Sequence, residues 1–142
     1  MANVVLIGAT GFVGSAVLNE LLSRGHKVTA VVRNASKLPK NDNLTAVEED
    51  VANVDAVANI AKGKNTVISA YNPGWNNPQM GKINDENYPK IVEAVKKSGV
   101  KRLLIVGGAG TLFVKPGVRV IDTGVIPDAI IDAVRSLGNF YL

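Results

Sequence analysis

The chain has 142 residues and a formal net charge of +4 at pH 7, with 46% hydrophobic and 20% charged residues. This size and balance are typical of a folded protein with a single hydrophobic core, and they exclude the disordered and fibrous classes. We therefore predict one domain over residues 1–142. The absence of cysteine excludes disulfides and thiolate chemistry. Since His26 is the sole histidine of the sequence, we also predict no metal site built by side chains.

The 16 lysines and arginines are scattered along the chain and are not gathered into a tract with interleaved aromatic residues. This spread disfavours nucleic acid and favours a phosphorylated small molecule as the anionic partner. The apolar run LLIVGGAG at 103–110 is too short to span a bilayer, and the N-terminus lacks the basic-then-apolar pattern of a secretion signal. We therefore expect no nucleic-acid partner, no membrane partner and a cytoplasmic location.

Strand and helix patterns alternate along the chain. A short apolar run at 3–7 predicts the first strand, and apolar residues at helical spacing predict a helix that ends near Gly25. Further strands are predicted at 27–33, 43–50, 65–71 and 100–108. Further helices are predicted at 53–63 with Asn53 as N-cap, within 86–99 up to Gly99, and from Pro127 to the last residue.

Strands that alternate with helices predict right-handed crossovers and a parallel sheet. Strands such as RLLIV at 102–106 are almost continuously apolar, which is typical of a sheet that helices cover on both faces. The sequence therefore predicts a doubly wound, Rossmann-like parallel sheet in a three-layer α/β/α arrangement. Two stretches predicted to be irregular, 72–82 and 107–117, each follow the carboxyl end of a strand, the edge at which open α/β sheets bind ligands.

Three evenly spaced glycines, Gly8, Gly11 and Gly14, follow the first strand. We expect Gly8 to make the turn into the helix, Gly11 to let a pyrophosphate approach the amides of the helix, and Gly14 to let the helix pack closely on the sheet. The spacing is G-x-x-G-x-x-G, where the widely found pattern is G-x-G-x-x-G, but it heads a predicted βαβ unit. A tight connection that binds no ligand would not require three glycines. The segment therefore predicts a dinucleotide-binding loop.

The second predicted strand ends in Arg33. A site for NAD usually carries an acidic residue here to accept hydrogen bonds from the ribose, whereas arginine accommodates the 2′-phosphate of NADP. Lys37 would add positive charge from the following turn. Arg33 therefore predicts a preference for NADP over NAD. The alternative is an arginine that is simply solvated at the end of a strand.

Asp50 and Val51 follow the third predicted strand. The carboxylate is placed to meet the amino group of adenine, and the valine is placed to pack on the ring. An interpretation that stays equally open is that Asp50 caps the helix at 53–63.

The segments GATGFVGSAV, VVRNASKL, DV at 50–51 and VISAYNPG together resemble the atypical short-chain dehydrogenase/reductase superfamily. Within it the chain is similar to the NmrA-like, biliverdin-reductase-B-like and NADH-flavin-reductase-like members, and to relatives of NAD-dependent epimerases and dehydratases. The resemblance covers residues 2–142, so it extends well beyond the glycine motif.

The resemblance implies a site for each part of the cofactor. The pyrophosphate would be lined by Thr10, Gly11, Phe12 and Val13. The adenosine ribose or its phosphate would meet Arg33, and the adenine would lie between Asp50 and Val51. The ribose on the nicotinamide side would lie beside Ala70 and Tyr71, and the nicotinamide would border the loop from Gly107 to Thr111.

Two features depart from the pattern of the superfamily. No tyrosine of this chain is followed four residues later by lysine, the pair that serves many members as general acid and base. The members that it resembles also continue well beyond LGNFYL, with further strands and a small region that covers the substrate. We therefore expect this chain to be a shortened one that lacks the substrate region.

The missing pair disfavours carbonyl reduction and sugar epimerisation, because both need proton transfer at an oxygen. Hydride transfer to a flavin needs less help, because the cofactor supplies the hydride and the protein aligns donor and acceptor. We predict an NADPH-dependent reductase of a flavin-like or other planar acceptor, with Tyr71 and Trp75 as stacking surfaces and Thr111 as a hydrogen-bond donor. The alternatives are loop packing for Trp75 and a turn-forming role for Thr111.

Two other functions stay open on the sequence. One is a non-catalytic regulator that senses NAD(P), as in the NmrA-like branch. The other is a relative of the nucleotide-sugar epimerases and dehydratases. We also expect self-association, since an open sheet edge leaves strand hydrogen-bonding groups without partners.

Overall fold

Five parallel strands form the main sheet of the structure, a computed structural model that describes residues 1–141 without the side chain of Tyr141. The strands are β1 (Asn3–Ile7), β2 (Lys27–Val32), β3 (Leu44–Glu48), β4 (Thr66–Ser69) and β5 (Leu103–Ile105). Their order across the sheet is β3-β2-β1-β4-β5. The order reverses at β1, so the carboxyl ends of β1 and β4 flank the switch point at which such sheets bind ligands.

The chain divides into two compact units. The first contains Met1–Asn72 and Lys90–Val106, and the second contains Pro73–Pro89 and the residues from Gly107 onward. The helices are α1 (Phe12–Ser23), α2 (Val54–Ala61), α3 (Met80–Ser98) and α4 (Asp128–Tyr141). The first part of α3 belongs to the second unit and its last part to the first unit. One domain over the whole chain stays a prediction, and Leu142, where the last helix was predicted to end, lies outside the described residues.

The apolar side chains of β1 fill a core on each face of the sheet. Val5 and Ile7 are buried on the face covered by α2 and the last part of α3, whereas Leu6 is buried with Leu18 of α1 on the opposite face. Each such side chain stabilises the fold by about 1.5–3 kcal/mol relative to exposure. This arrangement confirms the predicted doubly wound sheet with three layers, and it explains why the strand is apolar at successive positions.

Helix α3 begins six residues before the segment in which the sequence predicted it, so part of the stretch expected to be irregular is helical. The reason lies in the second unit, where Met80 is buried and Gly81 lies against α4. A Cβ at Gly81 would come within 3.2 Å of the carbonyl oxygen of Asp132. Packing against α4 extends the helix, although Pro89 stands inside it and supplies no amide donor.

The second stretch expected to be irregular also contains regular structure. A short 3₁₀ helix at Ala109–Thr111 is followed by β6 (Phe113–Lys115), which pairs antiparallel with β7 (Val118–Arg119). Such short strands are too brief to show the alternation by which a strand is recognised in a sequence. The expectation of irregular structure at 107–117 is therefore wrong for this hairpin.

Candidate cofactor site

The turn between β1 and α1 requires glycine at position 8. Its φ angle is +79°, a conformation that residues with a side chain rarely adopt. A Cβ at Gly8 would also lie 2.6 Å from the carbonyl oxygen of Ala70, which follows β4. Gly8 therefore makes the predicted turn and brings the loop against the end of the neighbouring strand.

Gly14 is required by close packing. A Cβ at this position would lie 1.8 Å from the carbonyl oxygen of Gly8, which is a backbone atom. The first turn of α1 therefore rests directly on the backbone of the loop. The close contact at Gly14 is therefore with the loop that follows β1, whereas the sequence predicted close packing on the sheet.

Gly11 differs from the other two glycines because the fold leaves room for a side chain there. It is the N-cap of α1 with a φ angle of −75°, and a Cβ would make an ordinary contact of 3.5 Å with the carbonyl oxygen of Gly8. Among the described residues, no side-chain hydrogen bond from the N-cap is present, and the first amides of a helix have no acceptor within it. Such a helix end attracts an anion, so these residues fit a pyrophosphate.

The side chains of the loop leave this helix end open. The residues Thr10, Gly11, Phe12 and Val13 are all exposed, and 96% of the surface of Phe12 is accessible. Because the ring of Phe12 is almost fully exposed, it is free to contact a bound molecule. The four residues expected to line the pyrophosphate therefore lie together at the carboxyl edge of the sheet.

The turn that follows β2 carries the predicted cationic residues at the same edge of the sheet, and we name it the Arg33 turn. Arg33 follows β2 directly, and Lys37 ends a short 3₁₀ helix at Ala35–Lys37; both side chains are exposed. The turn follows the strand that pairs with β1, and the amide of Gly8 donates to the carbonyl oxygen of Val31 at 3.4 Å. The two cations therefore stand on one turn beside the glycine loop.

The carboxylate of Glu48 supports this turn. Glu48 is the last residue of β3, and its Oε1 accepts a hydrogen bond of 3.0 Å from the amide of Ala35. Glu48 is not among the residues predicted from the sequence. The available signal was an acidic side chain at the carboxyl end of a strand next to the strand that ends before Arg33.

The end of β3 places the two residues expected at adenine in different surroundings. Asp50 is exposed, and its Oδ1 accepts a hydrogen bond of 2.8 Å from the amide of Ala52. The N-cap of α2 is Asn53, as predicted, because its side chain accepts from the amide of Ala56. The alternative that Asp50 caps this helix is therefore wrong. Val51 is only 8% exposed and packs in the core, so it offers little surface to adenine.

The end of β4 contributes residues next to Gly8. Ala70 and Tyr71 are half-buried, and Tyr71 packs against the core on the side of α2. Ser69, which sequence analysis missed, is fully buried and accepts a hydrogen bond of 3.3 Å from the amide of Tyr71. This contact fixes the backbone at the point where β4 leaves the sheet.

The remaining predicted residues belong to the second unit. Gly107 is exposed, Trp75 is 51% exposed, and Thr111 is half-buried at the end of its 3₁₀ helix. The methyl group of Thr111 faces Gly138 of α4, where an added Cβ would lie 3.0 Å from it. The residues predicted to contact the pyrophosphate and the adenosine therefore lie in the first unit, and these three residues lie in the second.

The side chain of Tyr88, the tyrosine of α3, is buried from solvent. Tyr88 is 3% exposed, and its ring centroid lies 5.0 Å from that of Phe140.

Within residues 1–141, no three histidine, aspartate or glutamate side chains form a group that could hold a metal ion. None of the helices in the same part of the chain combines the length and apolar character needed to cross a membrane.

A family model described as NAD(P)H-binding matches residues 8–134, which include the glycine loop, the Arg33 turn and the end of β4. The chain belongs to this NAD(P)H-binding family. Its ligand is therefore a nicotinamide dinucleotide, in agreement with the uncapped N-terminus of α1. The family match also confirms the cofactor class that the sequence predicted.

Relatives of known sequence or structure agree with this assignment. The chain is 34% identical over 136 residues to the Bacillus subtilis protein YwnB, covering 94% of this chain and 61% of that protein. It is 48% identical to a candidate epimerase from Bacteroides thetaiotaomicron, with a TM-score of 0.88 and coverage of 99% of this chain and 62% of the other. A candidate NADH-flavin reductase from Streptococcus pneumoniae is 26% identical, with a TM-score of 0.78 and coverage of 99% and 64%.

These similarities confirm the Rossmann-like fold and the predicted similarity to epimerase-like and NADH-flavin-reductase-like proteins. They also show that the chain spans less than two thirds of the length of each of these relatives. The shorter length relative to similar proteins is thus confirmed.

Proposed function

We propose that this protein binds NADPH in preference to NADH and transfers hydride from it to a flavin-like or other planar acceptor. The proposal rests first on Gly11, which stands at an uncapped helix N-terminus and lacks a Cβ that the fold itself would accommodate. Since the backbone does not require glycine there, the approach of a phosphate to the helix amides explains its presence.

The preference for NADPH is supported by the turn after β2. Arg33 and Lys37 are both exposed on it, and neither is engaged in an ion pair among the salt bridges described for residues 1–141. A guanidinium can bind a 2′-phosphate through two charge-assisted hydrogen bonds, and the ammonium adds a second positive charge. NADH lacks this phosphate and would gain neither contact.

The acceptor is inferred from the groups that the chain provides for chemistry. A bound NADPH supplies the hydride itself, so the protein has to bind and align the two reactants. The sequence has no Tyr-x-x-x-Lys pair for proton transfer, and Tyr88 is buried against Phe140. Tyr71 and Trp75 are proposed as stacking surfaces, and Thr111 as a hydrogen-bond donor to the acceptor. The similarity to a candidate NADH-flavin reductase supports a flavin-like acceptor.

Two alternatives have specific support. The missing Tyr/Lys pair also suits a protein that senses NAD(P) without catalysis. The 48% identity to a candidate epimerase supports a relative of the nucleotide-sugar epimerases. Oxidation of NADPH in the presence of free FMN distinguishes the reductase from both alternatives. Each alternative predicts that nicotinamide absorbance falls no faster with the protein than without it.

The first test is a titration of the chain with NADPH and NADH, followed by nicotinamide fluorescence, in the parent and in Arg33→Asp. We expect the parent to bind NADPH more tightly, and the variant to lose roughly 10- to 100-fold in NADPH affinity, the effect of removing a hydrogen bond between charged groups. NADH affinity should change much less, because its ribose carries no phosphate.

Arg102→Asp is the matched control, since Arg102 is exposed and directly precedes β5, at the amino edge of the sheet. It makes the same change in net charge away from the proposed site. Equal losses in the two variants would show that overall charge, and not the Arg33 turn, governs binding. A folded parent that binds neither nucleotide would remove the proposed function.

A further inference from the structure

Glu48 links the turn that carries Arg33 to the neighbouring strand. It is the last residue of β3 and lies in register with Val32, the last residue of β2. Its Oε1 accepts a hydrogen bond of 3.0 Å from the amide of Ala35, which begins the 3₁₀ helix after Arg33. An exposed acidic side chain at the carboxyl edge of the sheet is therefore engaged with the backbone of the next turn.

The other hydrogen bonds described for this turn stay within it. The side chain of Asn34 accepts from the amide of Ser36 at 3.0 Å, and the amide of Leu38 donates to the carbonyl oxygen of Ala35 at 3.1 Å. These contacts shape the turn but do not orient it relative to the sheet. Ala35 and Leu38 also pack against the core beside α1, a contact without directional preference. The bond to Glu48 supplies a directional link to β3.

The two cations of the turn flank this bond. Arg33 precedes Ala35 by two residues, and Lys37 follows it by two. Rotation of the turn about its ends would move both side chains together, whereas the glycine loop would keep its place after β1. Loss of the link would therefore act on the 2′-phosphate contacts and leave the pyrophosphate contacts in place.

We infer that Glu48 is a positioning residue that determines the selectivity between NADPH and NADH. Its carboxylate holds the amide of Ala35 and so fixes the turn that presents Arg33 and Lys37 to the 2′-phosphate. Its negative charge acts in the opposite direction, because it stands at the same sheet edge as the phosphate and weakens the binding of an anion. This inference rests on the proposed binding of NADPH.

Two substitutions separate the hydrogen bond from the charge. Glu48→Gln keeps an Oε1 acceptor for the amide of Ala35 and removes the charge, whereas Glu48→Ala removes both. We expect Glu48→Ala to lower the ratio of NADPH to NADH affinity by roughly two- to tenfold, the effect of one net hydrogen bond. Glu48→Gln should keep the parent ratio of NADPH to NADH affinity or raise it. Titrations with both nucleotides, followed by nicotinamide fluorescence, measure these ratios.

Glu49→Gln is the matched control. It makes the same charge change one residue away, but the carboxylate of Glu49 accepts from the amide of Asp50 and from the side chain of Asn53, and not from the Arg33 turn. We expect its affinity ratio to match that of the parent. If Glu49→Gln raises the ratio as much as Glu48→Gln does, a general charge effect replaces the specific role of Glu48.

A second measurement decides the turn-holding role without cofactor. In the free protein, exchange of the Ala35 amide proton with solvent should accelerate in Glu48→Ala and stay near the parent rate in Glu48→Gln. Unchanged exchange in Glu48→Ala would overturn the inference, as would equal losses of NADPH and NADH affinity. If the parent binds NADPH and Glu48→Ala keeps the parent ratio of NADPH to NADH affinity, the role of Glu48 is refuted but the proposed function is not. A parent that binds neither nucleotide refutes the proposed function and the selectivity role together.

Discussion

Gly11 and Gly14 lie three residues apart but serve different requirements, so the same substitution should affect them differently. Gly14→Ala places a Cβ 1.8 Å from the carbonyl oxygen of Gly8, and the helix must shift to accommodate it. We expect this overpacking to lower the free energy of unfolding by about 1–3 kcal/mol or more. Chemical denaturation measures the loss.

Gly11→Ala is the matched partner of this experiment. The new methyl group makes an ordinary contact at 3.5 Å, so the free energy of unfolding should change by no more than about 1 kcal/mol, the scale of an N-cap substitution. NADPH affinity should fall by roughly tenfold or more, because the methyl group stands where the phosphate approaches the helix amides. Parent-like affinity in a stable Gly11→Ala variant would argue against a pyrophosphate at this helix end.

At the scale of single elements, the 3₁₀ helix at Val120–Thr123 provides a pH-dependent contact. The side chain of Arg119 donates to the carboxylate of Asp122, and the amide of Arg119 donates to the same oxygen. These bonds hold the pKa of Asp122 below its usual range, with the side-chain bond as the larger cause. The folded-state pKa is thus lower than the unfolded one. The contact therefore favours the fold above the ordinary pKa and is lost as the pH falls through the lowered value.

We expect the carboxyl signal of Asp122 to titrate at lower pH than an aspartate in an unfolded peptide, as measured by NMR. Arg119→Gln should raise that pKa toward the usual range. Arg135→Gln should raise it less, because Arg135 acts only through its charge and is the smallest of the causes. An equal rise in both variants would mean that charge, and not the hydrogen bond, sets the pKa.

At the scale of the whole chain, a ligand that binds only the folded state must stabilise it. NADPH at 100 times its Kd should add about 2.7 kcal/mol to the free energy of unfolding, which raises Tm by roughly 5–10 °C for a protein of this size. NADH at the same concentration should give a smaller rise. Thermal unfolding followed by circular dichroism measures both shifts.

The Arg33→Asp variant provides the comparison for this measurement. Its Tm without nucleotide should stay close to that of the parent, because the side chain of Arg33 is exposed. The difference between the two nucleotides should shrink in the variant, since Lys37 is the one cation that remains on the turn after β2 for the 2′-phosphate. A difference as large as that of the parent would place the 2′-phosphate away from Arg33.

Much of the fold was predictable because it depends on local patterns. Apolar strands, apolar residues at helical spacing and the three glycines are each recognisable in the sequence. Together they predicted the parallel sheet and the loop after β1. The start of α3 at Met80 carried no such signal, because contacts with α4 stabilise it. The hairpin of β6 and β7 was too short to be recognised.

For the candidate site, the sequence by itself determined the cofactor class, since the three glycines Gly8, Gly11 and Gly14 follow the first strand of a predicted βαβ unit. Only the tertiary structure decided that the backbone does not require glycine at Gly11 and that Val51 is buried in the core. It also brought Glu48 to the amide of Ala35, 13 residues away in the chain. The physical reason is that parallel pairing of β2 and β3 joins their carboxyl ends, and a contact across two strands leaves no periodic trace in the sequence.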